Sequence, residues 1–161
     1  MLIITFWILV FFSLFSYFIY PLILLAIHKT PPSKPLTEQY NNDKLPHISV
    51  IITAHNEEKR IRDKIINTLD CEYPKDLLQI IIASDGSTDK TNSIAIEYEK
   101  LGVTLTCPKE RLGKENAQKT AISIAQGEIL IFSDVATQIP EKAFSTLVTY
   151  FNDSGIGAIS S

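Results

Sequence analysis

Residues 47–53 read HISVIIT and run into Ala54-His55-Asn56-Glu57-Glu58; residues 78–83 read LQIIIA and run into Ser84-Asp85-Gly86-Ser87-Thr88-Asp89. Each is a short β-branched, apolar run without polar alternation, the pattern of a strand buried on both faces. Each then breaks into a polar, acidic cluster. A strand buried on both faces needs a layer on either side of its sheet, so what separates these runs decides the fold class.

Working outward, strand and helix patterns alternate. Residues 57–69 are polar with Ile61, Ile65 and Leu69 at i, i+4 and i+8, one face of a helix. Residues 88–101 put Ile94, Tyr98 and Leu101 on a helical stripe, and 103–106 form a short third strand. Residues 114–125 read as a helix with a small-residue face, and 128–132 (EILIF) as a fourth strand. Residues 140–151 read as a helix with Phe144, Leu147, Val148 and Phe151 on one side, and residues 156–159 as the start of another strand. Repeated strand–helix units predict an α/β doubly wound sandwich around a parallel sheet with right-handed crossovers. Such sheets bind ligands at the carboxyl ends of their strands, so the polar residues after each strand carry the chemistry.

Three acidic clusters follow strands: Glu57-Glu58, Asp85 to Asp89, and Asp134 in Ser133-Asp134-Val135-Ala136-Thr137. Ser87 or Thr88 can cap the following helix, Asp89 suits its positive N-terminus, and Asn56 and Glu57 can do the same one unit earlier. Capping does not account for Asp85, which precedes the turn glycine Gly86. Strand-end carboxylates also accept from sugar hydroxyls or base N–H groups, or hold a metal. Leu112-Gly113-Lys114 adds a Gly-Lys before a helix, where a lysine either meets a phosphate or is simply solvated.

Several classes are excluded or disfavoured. No G-x-G-x-x-G follows the first strand and no G-x-x-x-x-G-K-[ST] occurs, which disfavours dinucleotide dehydrogenases and P-loop enzymes. His28, His47 and His55 lack zinc-ligand spacing, and no Ser-His-Asp set is identifiable. With 15 basic and 18 acidic residues, there is no cationic excess to neutralise a nucleic acid. Two cysteines cannot staple 161 residues, which excludes a disulfide scaffold.

The N-terminal region is different. No Asp, Glu, Lys or Arg occurs before Lys29, and residues 2–27 are almost wholly apolar. A spanning helix needs ~20 such residues, so 2–27 is expected to cross a membrane, with a kink at Pro21. A cleaved signal peptide would show a basic start, a shorter apolar core and a small-residue cleavage site. Residues 28–45, with Pro31, Pro32 and Pro35, read as a linker, and 46–161 as the globular domain. Lys29 and Lys34 follow the apolar segment, and the positive-inside rule then puts the domain in the cytoplasm on a single-pass anchor.

The ordered set ISVIITAHNEE, LQIIIASDGSTDKT, RLGKENAQKTAI and GEILIFSDVAT closely resembles the nucleotide-binding half of family 2 glycosyltransferases, which have a GT-A fold. The resemblance runs from about Pro46 to the end of the chain. It implies that Ala54 and Glu57 line a nucleoside site, that Asp85 accepts from a uracil-like base edge, and that Lys114 lies near the nucleotide phosphates. It implies that Asp134 is the first acid of the D-x-D element, a ligand for Mg²⁺ or Mn²⁺ and for the phosphates of a UDP-sugar donor. Two positions depart from the pattern: Ala136 stands where the second acid is expected, weakening the metal site, and His55 stands where the family usually has a tyrosine. The implied activity is inverting transfer of a sugar to a polysaccharide or lipid-linked acceptor. The catalytic base is expected beyond Ser161, so the GT-A domain is expected to be incomplete at its C-terminus and inactive alone. A non-catalytic, nucleotide-binding or partner-binding remnant, paired with a separate chain that supplies the acceptor half, is the alternative. A membrane-tethered α/β domain whose acids merely cap helices is a third reading.

Overall fold

The computed structural model describes residues 2–27, 45–108, 110–153 and 155–160. The chain divides into an N-terminal unit and a globular unit. The expected linker, 28–45, lies outside the described residues except for Leu45.

The N-terminal unit is helical: α1 (Leu2–Leu14), a π-helical turn (Phe15–Ile19) and α2 (Tyr20–Ile27). Residues Leu2–Ala26 have a mean hydropathy of 2.4, long and apolar enough to cross a membrane. Pro21 has no amide hydrogen and its ring crowds the carbonyl one turn back. The backbone meets this constraint by widening one turn, so that Tyr20 N–H bonds to Phe15 O, five residues earlier.

In the globular unit, β1 (Ile48–Ala54), β2 (Leu78–Ser84), β3 (Val103–Thr106) and β4 (Ile129–Asp134) form one parallel sheet among the described residues, in the order β3-β2-β1-β4. The chain steps outward from β1 to β3, then returns to the other side of β1. That reversal makes the β1/β4 crevice a topological switch point. In register, Ala54 lies opposite Ser84 and Thr53 opposite Asp134, which brings three strand ends to one rim.

The sheet is buried unequally. One face packs Val50, Ile52, Ile80 and Ile82 against Ile61 and Ile65 of α3 (Ile61–Leu69), Ala95 of α4 (Thr91–Ile96), and Phe144 and Val148 of α6 (Ala143–Tyr150). The other face sets Ile51, Ile81 and Ala83 against Ala117 and Ala121 of α5 (Lys114–Ile122). The two alanines allow this helix to sit close to the strands, which accounts for the small-residue face.

Four expectations need correction. Residues 156–159 form no strand; β4 is therefore an edge of the described sheet, with Leu130 and Phe132 exposed on the α5 side. The helix expected over 57–69 begins at Ile61; before it, the Glu57 and Glu58 amides bond Thr91 and Asp89 of the neighbouring loop. Its buried stripe is Ile61, Lys64, Ile65 and Thr68, rotated from the one through Leu69. The helix expected over 88–101 shortens to Thr91–Ile96 plus a 3-10 turn, Glu99–Leu101, and Leu101 is exposed.

Candidate functional site

The loops that follow β1 and β2 are knitted together by paired polar contacts. Asn56, at φ 54°, is a non-glycine residue in the left-handed region, which asparagine tolerates better than most. This conformation lets its amide donate to Ser87 Oγ at 3.1 Å while its Oδ1 accepts from Thr88 N at 2.8 Å. Glu57 N–H donates to Thr91 Oγ1 at 2.7 Å and Glu58 N–H to Asp89 Oδ2 at 3.0 Å. Lys90 N–H returns a bond to Glu58 Oε2 at 3.2 Å.

Lys90 stands at the N-cap of α4 and its side chain makes no cap bond; the first amide of the helix is satisfied by Asp89, one residue earlier, and not by Ser87 or Thr88. Asp89 Oδ1 accepts from Thr91 N at 2.9 Å and from Thr91 Oγ1 at 2.5 Å. Desolvation works against the charged carboxylate, but these bonds and that from Glu58 N–H outweigh it and hold Asp89 below the usual carboxylate range. Ser87 instead accepts from Ser84 Oγ at 2.9 Å and from Asn56 N–H, so it ties loop to strand.

Asp85 is only 5% exposed. Its backbone N–H donates to Ala54 O at 2.9 Å, and its carbonyl accepts from His55 Nδ1 at 2.7 Å. A carbonyl cannot donate, so His55 carries its proton on Nδ1. Asp85 Oδ1 accepts from Leu112 N at 3.1 Å and Gly113 N at 2.9 Å, and Arg111 Nε lies 3.7 Å from Oδ2. Asp85 thus fastens the segment that leads into α5. Gly86 is needed beside it: its φ is +62°, and a Cβ there would meet Arg111 Cβ at 3.0 Å and the Arg111 backbone at 3.1 Å.

The remaining candidates lie around this core. Ala54 is buried at the end of β1. The Glu57 carboxylate is held by Arg60 in a two-pronged contact, Nε to Oε2 at 2.9 Å and Nη2 to Oε1 at 3.0 Å. Lys114, at the start of α5, donates from Nζ to Asp134 Oδ1 at 2.7 Å, and both side chains are exposed. Ala54 thus touches Asp85 between the ends of β1 and β2, and Lys114 of α5 touches Asp134 at the end of β4.

The donor chemistry limits what a metal would find. Among the described residues, no three His, Cys, Asp or Glu side chains gather into a cation site. Asp134 offers one hard carboxylate and Ala136 adds none, so this set fits a divalent cation that brings its own phosphate oxygens, not one caged by protein alone.

Lys64 was missed from sequence. It is 3% exposed, and its Nζ donates to Ser133 Oγ at 2.8 Å and Thr137 O at 2.5 Å. Burial pushes its pKa down, while the nearby Cys71 thiol and Asp134 carboxylate pull it back up. The available signal was its position: Ile61, Lys64, Ile65 and Thr68 fall at i, i+3, i+4 and i+7, a buried-face spacing that contains a lysine. Thr91 and Arg111 were missed as well, since only tertiary proximity gives them their partners, and so was Arg60, although its partner Glu57 lies only three residues away.

Residues 49–160 match the family model described as Glycosyl transferase family 2. A curated relative, "Probable glycosyltransferase YdaM" of Bacillus subtilis (strain 168), is 33% identical over 126 residues, covering 74% of this chain and 30% of its own length. The beta-monoglucosyldiacylglycerol synthase of Nostoc sp. is 33% identical over 119 residues, covering 71% of this chain and 25% of its own length. The mannosyltransferase PcManGT from Pyrobaculum calidifontis, solved in complex with GDP-Man and Mn²⁺, aligns with a TM-score of 0.68 at 30% identity, covering 71% of this chain and 34% of that one. The chain therefore spans between a quarter and about a third of the length of these relatives. The family match extends over every strand of the parallel sheet and over the three strand-end clusters, and the chain belongs to glycosyl transferase family 2.

Proposed function

We propose that this chain carries the donor-binding part of a membrane-anchored glycosyltransferase. It takes a nucleoside-diphosphate sugar, with uridine as the nucleoside, and serves transfer to a polysaccharide or lipid-linked acceptor at the cytoplasmic face of the membrane. The observation that carries the reading is the Lys114–Asp134 contact at 2.7 Å, a cation and a hard carboxylate side by side at the switch point of a parallel sheet. The complex of PcManGT with GDP-Man and Mn²⁺ supports a nucleotide-sugar donor and a divalent metal. The name of the Nostoc relative supports a lipid acceptor. The apolar Leu2–Ala26 helix supports membrane attachment.

The residues divide the work by chemistry. Ala54 and Glu57 border the nucleoside, with the Glu57 carboxylate steadied by Arg60. Asp85 faces the base with Oδ2 while Oδ1 holds the Leu112–Gly113 amides. Lys114 meets the diphosphate as a point charge. Asp134 supplies the one protein carboxylate for a divalent cation, which when bound neutralises charge on the departing diphosphate.

Thermal unfolding of the full chain in detergent tests this. UDP, with GDP as comparison, is expected to raise the unfolding midpoint by mass action. No shift with either nucleotide rejects donor binding; a larger shift with GDP rejects the uridine assignment.

A further inference from the structure

α3 grips the segment after β4 with polar side chains a helical turn apart. Asn67 Nδ2 donates to Ile139 O at 2.9 Å and its Oδ1 accepts from Ile139 N at 2.8 Å. Glu72 N–H donates to Glu141 O at 2.8 Å. These bonds fasten the distal part of the segment with neutral groups. Nearer β4 the contact is made by the buried ammonium of Lys64, on Ser133 Oγ and Thr137 O.

Those two acceptors bracket Asp134. Ser133 precedes it, and Thr137 N–H closes a turn onto the Asp134 carbonyl at 3.1 Å. The ammonium therefore clamps both ends of the turn that carries the exposed Asp134 carboxylate, from inside the fold. A buried charge is costly, and replacing one by an apolar side chain of similar volume is often neutral or stabilising. Packing alone does not call for a lysine beside Ile61 and Ile65. Asn67 does equivalent fastening without charge.

We propose that Lys64 is a positioning residue for Asp134, holding the turn after β4 so that the carboxylate stays at the rim beside Lys114, where a cation–diphosphate is engaged. The inference rests on the reading of Asp134 as the metal- and phosphate-side carboxylate. Lys64 touches neither ligand; it acts through the Ser133 and Thr137 contacts.

The experiment is calorimetric titration of the full chain in detergent with UDP and with GDP, each with and without Mn²⁺. The quantity read is the gain in nucleotide affinity that Mn²⁺ confers. Lys64→Met is expected to keep the metal-free affinity and an unfolding midpoint near or above wild type, while the Mn²⁺ gain falls to that of Asp134→Ala. Asn67→Ala is expected to lower the midpoint and keep the gain, as a purely structural contact would. A wild-type gain in Lys64→Met, with the gain lost in Asp134→Ala, overturns the role of Lys64 and leaves the site reading standing. No gain in wild type, or a full gain in Asp134→Ala, overturns the site reading and this inference with it. If Lys64→Met does not fold, Ser133→Ala decides: a reduced gain at unchanged metal-free affinity supports the clamp, and an unchanged gain overturns it.

Discussion

Lys114 Nζ sits 2.7 Å from Asp134 Oδ1 although the two residues lie 20 positions apart and on different elements. Their side chains are 59% and 61% exposed. An ion pair so open to water contributes only ~0–1 kcal/mol to folding. Its significance is chemical: a diphosphate competes for the lysine, and a cation competes for the carboxylate. Lys114→Ala is therefore expected to move the unfolding free energy by less than ~1 kcal/mol. Nucleotide binding should weaken by ~1.5–3 kcal/mol, the worth of a charged hydrogen bond, or roughly ten- to a hundredfold in Kd. Titration calorimetry beside thermal unfolding checks both halves; unchanged Kd removes Lys114 from the site.

Asp85 serves the fold and the proposed nucleoside site with different oxygens. Asp85→Ala leaves the Leu112 and Gly113 amides without their acceptor and is expected to cost ~1–3 kcal/mol of stability. Asp85→Asn keeps an acceptor for those amides, so most of that stability should return. Its NH₂ replaces the oxygen that would accept from a base, so UDP should protect neither variant. Equal UDP-induced shifts in Asp85→Asn and wild type would take Asp85 out of the nucleoside site.

Ala136 leaves the carboxylate count at one on the turn after β4. Wild-type chain is expected to gain a measurable but modest nucleotide affinity from Mg²⁺ or Mn²⁺, the share that the single Asp134 carboxylate supplies. Ala136→Asp adds a hard oxygen, and the metal-dependent gain should grow. An unchanged gain would mean that position 136 faces away from the cation.

Asp89 carries a pH signature. Against desolvation, hydrogen bonds from Thr91 and the Glu58 amide hold its native pKa below the usual carboxylate range. A carboxylate depressed by folding stabilises above its unfolded pKa and loses that contribution as pH falls through the native one. Asp89→Ala should thus be less stable than wild type by ~1 kcal/mol near neutrality, as expected for a lost cap. The gap should start to close as pH falls below the ordinary aspartate range toward the depressed native pKa. Denaturant unfolding of both proteins across that range reads it directly; a gap independent of pH would assign the effect to packing instead.

Membrane orientation has its own test. Lys29 and Lys34 are the cations just beyond the apolar helix, so a reporter fused after Ser161 is expected to be active in the cytoplasm. Activity on the opposite side reverses the assignment.

Apolar runs and helical stripes are local patterns set by burial, so they already carry the α/β class, the four strands and the polar clusters at the strand ends. They also mark residues 2–27 as apolar enough to span a membrane. What they cannot contain is which groups at the rim touch. Asp85 looked uncommitted until folding brought Leu112 and Gly113 amides onto it. Asp89, not Ser87 or Thr88, satisfies the first amide of α4, because the Asp89 carboxylate reaches Thr91 and Glu58 together. Residues 156–159 have strand-like composition, yet a strand exists only through hydrogen bonds to a neighbour, and the described chain forms none there. Lys64 is the clearest case: its spacing put it on the buried face of α3, but only the approach of Ser133 and Thr137, some seventy residues on, supplies the acceptors that let an ammonium remain there. Burial pattern is a property of the segment; satisfaction of a buried charge is a property of the assembled fold.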